Sequence, residues 1–181
     1  MSHVYLVNPA QTSAERKALL DQIHAAFGAT PNMFKAVANS PAALKSMWGS
    51  FGALGSGVLG AKLGEQIAVA VADRNRCEYC LAAHTVLGQG AGATAQEMAA
   101  AQAGQSSDPK TAAALIFALK VVDQRAQVTL EDIAALRAGG FEDEHIVEIV
   151  AHVALNLFTN YINVALQVPV DFPKVKLNPI A

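Results

Sequence analysis

Charge is scarce in this 181-residue chain: Asp, Glu, Lys and Arg make up 15% of it, against about 25% in an average globular protein. Hydrophobic residues reach 52%, which excludes a disordered chain and leaves a surface poor in solubilising groups. We expect other subunits to cover part of that surface. The few charges nearly cancel, 13 basic against 15 acidic with a pI near 6.2. There is thus no basic stripe for phosphates and no polybasic patch for anionic lipid, and neither nucleic acid nor a membrane surface is an expected partner. No membrane-spanning segment is expected either. The segment Met1–Pro9 lacks the basic n-region and apolar core of a secretory signal, so a cytoplasmic location is expected.

Cysteine is limited to Cys77 and Cys80, which excludes a disulfide-rich scaffold. A mass of 18.9 kDa is enough for one domain with its own core, here taken as residues 1–181. In a reducing compartment a C-x-x-C pair points to redox or metal chemistry rather than to a permanent bridge.

Proline occurs only at 9, 31, 41, 109, 169, 173 and 179, leaving 42–108 and 110–168 free of an obligatory helix breaker. No convincing period-two run appears, and the fold class is all-α. Thr12 with Glu15 and Thr94 with Glu97 form capping-box patterns. Thr30-Pro31, Ser40-Pro41 and Asp108-Pro109 read as N-caps followed by proline at the first helical position. Helices are predicted over 13–27, 31–38, 41–54, 62–73, 77–90, 95–103, 109–125, 130–138 and 143–167, the last as one run or two. Pro169 and Pro173 force the tail into an extended path, which either wraps onto a neighbouring subunit or lies on its own chain. At an offset of 79, Gly60, Glu65, Ile67 and Val71 pair with Gly139, Glu144, Ile146 and Val150, the pattern of two degenerate helical repeats. At the same offset Cys77, Cys80 and His84 face Asn156, Thr159 and Asn163, so the reactive groups occur once.

The chemistry-bearing segment runs from Glu65 to His84. Asp73-Arg-Asn-Arg reads as the turn between two helices, with Cys77 opening the second. Both thiols then lie in a first turn, where free backbone N–H groups and the helix dipole favour an anion. Moving a cysteine from its free pKa of about 8.5 to about 6 takes roughly 3.4 kcal/mol, at about 1.36 kcal/mol per unit. A helix terminus gives at most about 2 kcal/mol, so another group must contribute. His84 stands four residues after Cys80, on the same helix face. An imidazole at hydrogen-bond distance takes the thiol proton and holds the thiolate as an ion pair. Cys80 is therefore the preferred nucleophile and Cys77 its resolving partner. The opposite assignment rests on the first cysteine lying nearer the helix end. Glu65, a carboxylate amid Gln-Ile-Ala-Val-Ala-Val, is placed to orient His84 or relay its proton, unless it is an idle acid in a first turn.

Together Glu65, Cys77, Cys80 and His84 match the E-x11-C-x2-C-x3-H signature, and the chain resembles the AhpD-like proteins of the carboxymuconolactone decarboxylase superfamily. Phe158-Thr-Asn-Tyr-Ile-Asn-Val-Ala is similar to the corresponding segment of the peroxidase-related branch. The resemblance implies an AhpD-like helical fold assembled as trimers or hexamers. It also implies a hydroperoxide reductase that uses no cofactor and draws on an external thiol or dithiol reductant. Cys80 would attack the peroxide, Cys77 would resolve it, and Glu65 and His84 would relay protons. Tyr79 stands where some founding members have a second histidine. It supplies a phenolic hydrogen bond to the relay or pocket, or simply packs.

Zinc is the rival from another class, because Cys77, Cys80 and His84 are three suitable ligands. A fourth would have to come by folding from Glu65, His145 or His152. No metal is expected. Other rivals are a different small-molecule reaction on the same scaffold and a redox-responsive module without turnover. His3 and His24 are expected at the surface, and His145 and His152 are given no role. The run Gly52 to Gly60 is expected to be a flexible loop, since no strand precedes it and no Lys-Ser or Lys-Thr closes it. Leu44, Met47, Trp48 and Phe51 fall at helical spacing and are expected in the core, at a subunit contact or along an apolar pocket wall.

Overall fold

The structure, a computed structural model, describes residues 2–179. Among these, α1 (Ala14–Phe27), α2 (Asn32–Val37), α3 (Pro41–Gly55), α4 (Ala61–Arg74), α5 (Glu78–Gly90), α6 (Ala95–Gln102), α7 (Pro109–Asp123), α8 (Leu130–Ala138) and α9 (Asp143–Ala165) follow one another without a strand. The predicted proline and capping signals place most boundaries. Ser40 accepts from the Ala43 N–H, Asp108 from Thr111, and Thr94 and Glu97 close a reciprocal capping box. Two signals misplace the start by one residue. A single 3-10 turn at Pro9–Gln11, capped by Asn8, absorbs Thr12, so Ser13 precedes α1. Pro31, not Thr30, is the extended residue before α2. Thr129 with Asp132 forms a further box that the sequence reading missed.

At the centre lies α4, packed on α5, α6, α7 and α9. Gly64 and every residue from Gln66 to Ala72 are buried, so small and β-branched side chains let four helices approach one. Helix α4 ends because Arg76 takes a left-handed φ of 58°, and the Cys77 N–H reaches back to Ala72 O at 2.9 Å. The chain reverses there into α5. Helix α9 is one unbroken run, so the offset-79 comparison pairs the α4–turn–α5 hairpin with a continuous helix. Gly52 and Gly55 lie inside α3, and the loop is confined to 56–60, where the Glu148 carboxylate accepts from the Val58 and Leu59 N–H groups.

Leu44 and Met47 are fully buried. Phe34 joins them at the centre of an aromatic group, edge-on to Trp48 and Phe51 and tilted against Phe27 at centroid distances of 5.9, 5.9 and 5.7 Å. The tail lies on its own chain. Asp171 accepts from the Asn32 N–H at 2.8 Å, the Arg76 guanidinium donates to Asn178 O at 2.7 Å, and Phe172 packs on Tyr79. No helix among the described residues is long and apolar enough to cross a membrane.

Truncating Phe34 to alanine leaves a cavity that three aromatic neighbours cannot fill. Denaturant unfolding of Phe34→Ala should show a loss of about 3–5 kcal/mol.

Candidate active site

Cys77 is itself the N-cap of α5, and its sulfur accepts the Cys80 N–H at 3.2 Å, the position usually held by Ser, Thr, Asp or Asn. Cys80 follows one turn on, and His84 one turn further along the same face. All three are buried, Cys80 at 2% exposure. The sharp α4–α5 reversal brings Glu65 alongside, and its Oε2 lies 2.7 Å from His84 Nδ1.

The remaining donors come from α9. Asn163 Nδ2 donates to Cys80 Sγ at 3.2 Å. Asn160, wholly buried, is anchored through Oδ1 by Asn75 Nδ2 at 2.9 Å; its own Nδ2 has no hydrogen-bond partner among the described residues, and its amide adds only the smallest of the contributions that favour the Cys80 anion. Burial pushes the Cys80 thiol up. A hydrogen bond from Cys77, the His84 charge and the Asn163 and Asn160 amides oppose it, and the balance leaves the thiol at about 6. Cys77 moves the other way: its hydrogen bond to Cys80, burial and the adjacent charge all keep its proton on. For His84, burial disfavours the cation, but the Glu65 carboxylate and the Cys80 charge outweigh it and raise its pKa. Cys80, His84 and the half-buried Glu65 thus stand in sequence, with the ionised thiol and the protonated imidazole each favouring the other.

The sequence reading placed the imidazole directly on the sulfur. Among the described residues no hydrogen bond joins Cys80 to His84; the two instead border one apolar cavity of about 30 Å³, walled by Phe34, Phe51, Tyr79 and Phe172. That is room for about one or two waters. Nδ1 of His84 is committed to Glu65, so the other ring nitrogen is the one available for chemistry in that space. The Tyr79 hydroxyl accepts from the Met33 N–H at 3.1 Å, and its ring meets Phe172 edge-on at 5.7 Å. Burial and the neighbouring Asp171 raise its pKa. Tyr79 thus forms a pocket wall and holds α2, with its hydroxyl occupied away from the sulfurs.

Neither Asn160 nor Asn163 stood out as a site residue in the sequence, and His152 entered only as one of three possible fourth zinc ligands. The signal was there for the amides: Asn156, Thr159, Asn160 and Asn163 recur at three- and four-residue steps, the spacing of a buried face, where apolar side chains belong. His3 and His24 are exposed, and His145 packs on Phe141 at the start of α9. Among the described residues no three His, Cys, Asp or Glu side chains converge as metal ligands.

Helices around a buried C-x-x-C pair with an acid and an imidazole define an all-α thiol protein. Residues 41–124 match the model of the carboxymuconolactone decarboxylase family. An uncharacterized peroxidase-related protein from Silicibacter sp. TM1040 is 25% identical and superposes with a TM-score of 0.82, over 93% of this chain and 91% of that one. An alkylhydroperoxidase AhpD core from Ralstonia eutropha JMP134, also peroxidase-related and uncharacterized, gives 25%, 0.83, 94% and 92%. The debrominase Bmp8, solved as a Cys-to-Ala variant with 2,3,4-tribromopyrrole, shares the fold at 22% identity and a TM-score of 0.78, over 94% of each chain. No curated protein gives a significant match. In fold and over residues 41–124 the chain is thus similar to the AhpD-like proteins of the carboxymuconolactone decarboxylase superfamily.

Because the thiolate fraction of Cys80 grows as pH rises through about 6, its alkylation rate should be half-maximal near that pH and level above it. In Asn163→Leu a charge-assisted hydrogen bond worth about 1.5–3 kcal/mol is lost, and the midpoint should rise by about one unit or more. Tyr79→Phe should leave the midpoint in place and lower stability by about 1–3 kcal/mol, since the Met33 N–H loses its acceptor.

Proposed function

We propose that the protein is a thiol-dependent hydroperoxide reductase, acting in the cytoplasm as a homo-oligomer of three or six subunits. The observation that carries this reading is the Cys80 sulfur, held near pKa 6 by the Cys77 hydrogen bond, the His84 charge and the Asn163 amide, and bordering one cavity with His84, whose Nδ1 is paired to Glu65. At neutral pH such a sulfur is largely ionised, against a few per cent for a free cysteine.

The Cys80 thiolate attacks the terminal peroxide oxygen. An S–O bond forms, the O–O bond breaks, and the departing alkoxide takes a proton from His84, giving the alcohol and a Cys80 sulfenic acid. The Cys77 thiol, one turn away, then attacks that sulfur and releases water, leaving a Cys77–Cys80 disulfide. An external dithiol reduces it by exchange and is itself oxidised to a disulfide. Glu65 keeps the imidazole oriented and charged until its proton is used. The peroxidase-related relatives support this reading. Exposed apolar side chains on α7 and α9, among them Ile116, Val147 and Tyr161, support the association into oligomers.

A second reading has one observation in its favour: a debrominase has the same fold, so the thiol pair here could serve reduction of another small molecule. The two separate on treatment with one equivalent of an organic hydroperoxide, followed by mass spectrometry. Peroxide reduction gives a Cys77–Cys80 disulfide and one equivalent of alcohol. Cys80→Ser should abolish peroxide consumption, Cys77→Ser should accumulate a trappable sulfenic acid at Cys80, and His84→Gln should lower turnover by about 10²-fold. A fully active Cys80→Ser protein would overturn the proposal.

A further inference from the structure

Each turnover in the reading above spends a proton from a His84 side chain that is buried, and the narrow cavity on the sulfur side is apolar. A second cavity, of about 160 Å³, also reaches His84; Gly64, Glu65, His152 and Asn156 line it, with α3 and the 56–60 loop closing it. At about 30 Å³ per water it has room for several. It brings together the carboxylate of α4 and an imidazole of α9 that lie 87 residues apart in the chain.

Three features single out His152. Its Nε2 is buried, and no described protein group hydrogen-bonds to it, although an unpaired buried ring nitrogen is unfavourable by about 1–3 kcal/mol. The ring lies flush on the α4 backbone, because Gly64 has no side chain: a Cβ there would come within 3.0 Å of His152 Cε1. Gly64 immediately precedes Glu65, so the missing methyl group is what allows the ring to approach the carboxylate. Asn156 fixes the backbone of this turn by donating to His152 O at 2.9 Å.

Resting on the peroxide-reductase reading, we propose that His152 reloads the relay. Its imidazole exchanges a proton with the Glu65 carboxylate, which is partly exposed in the second cavity, and so connects the buried His84 to solvent on the side away from the sulfurs. Burial lowers the His152 pKa, the Glu148 and Glu65 carboxylates oppose that shift, and the His84 charge adds to it, so the ring is largely neutral and able to pass protons either way. The sum over a cycle is unchanged: hydroperoxide and dithiol become alcohol, water and disulfide. The dithiol reacts as its thiolate and leaves its two protons in solvent; Cys80 departs as the thiolate, Cys77 takes one proton back, and the proton that His84 gave to the alkoxide is returned from solvent through His152 and Glu65. His152 acts through Glu65 and is a positioning residue for the proton; it does not touch the peroxide.

The test compares wild type, His152→Ala and His152→Gln, each first shown by circular dichroism and thermal melting to be folded, with dithiothreitol as the reductant. Loss of the residue should lower kcat by about 10²-fold, the low end for a positioned proton-transfer group, with KM for peroxide and the Cys80 alkylation midpoint unchanged. Imidazole added to His152→Ala should restore kcat saturably, and pyrazole, of equal size and far weaker basicity, should not. His152→Gln keeps the volume without the basicity; it should be as slow as the alanine variant and serves alone if that variant does not fold. Wild-type kcat in either variant, or equal rescue by imidazole and pyrazole, overturns the proposal. If the wild type consumes no peroxide, the reductase reading fails by itself. The His152 proposal is then read from dithiothreitol reduction of the diamide-oxidised Cys77–Cys80 disulfide, where the same slowing and the same imidazole-selective rescue should appear. An unchanged reduction rate there overturns it.

Discussion

A sulfur anion at 2% exposure is strongly disfavoured unless hydrogen bonds and a nearby positive charge stabilise it, and Cys80 has both. Cys77 donates from the N-cap and Asn163 from α9, and the His84 cation borders the same cavity. Much of the architecture follows from that requirement. The tight reversal at Arg76 places the two sulfurs one turn apart, the small residues of α4 let α5 and α9 reach it from different sides, and Asn75 keeps Asn160 in position. Helix-end electrostatics alone fall short of the required stabilisation by more than about 1 kcal/mol, and the Cys77 hydrogen bond, the His84 charge and the Asn163 amide together make up the difference.

The two cavities divide the labour. The sulfur-side pocket is apolar and admits little beyond the reacting atoms, so charges within it are poorly screened and each hydrogen bond counts for more. The other cavity has His152, Glu65 and His84 on its wall and suits proton traffic. His84 borders both, with one nitrogen held by Glu65 and the other free. In the proposed cycle a single imidazole thereby separates the place where a proton is used from the place where it is replaced. Tyr79 and Phe172 close the sulfur-side pocket from the tail, which ties the extended C-terminal segment to the chemistry through packing and not through a reacting group.

The local sequence determined the helices and the reactive set. Proline positions, Ser40, Thr94 and Asp108 set helix starts because capping is a matter of a few neighbouring residues. The i, i+4 relation of Cys80 and His84 follows from helix geometry alone. Where a neighbouring turn competed for the same cap, as at Thr12 and Thr30, local pattern was insufficient. Only the tertiary structure decided what meets the sulfur. Asn163 lies 83 residues from Cys80 and His152 87 from Glu65, and their contacts depend on how α9 crosses α4 and α5. It also turned His84 toward Glu65, with a cavity between ring and thiol, because the carboxylate from α4 claims Nδ1 before the thiol can. Spacing along one helix specifies which side chains share a face. The charge each carries is set by donors and burial that come from the rest of the fold.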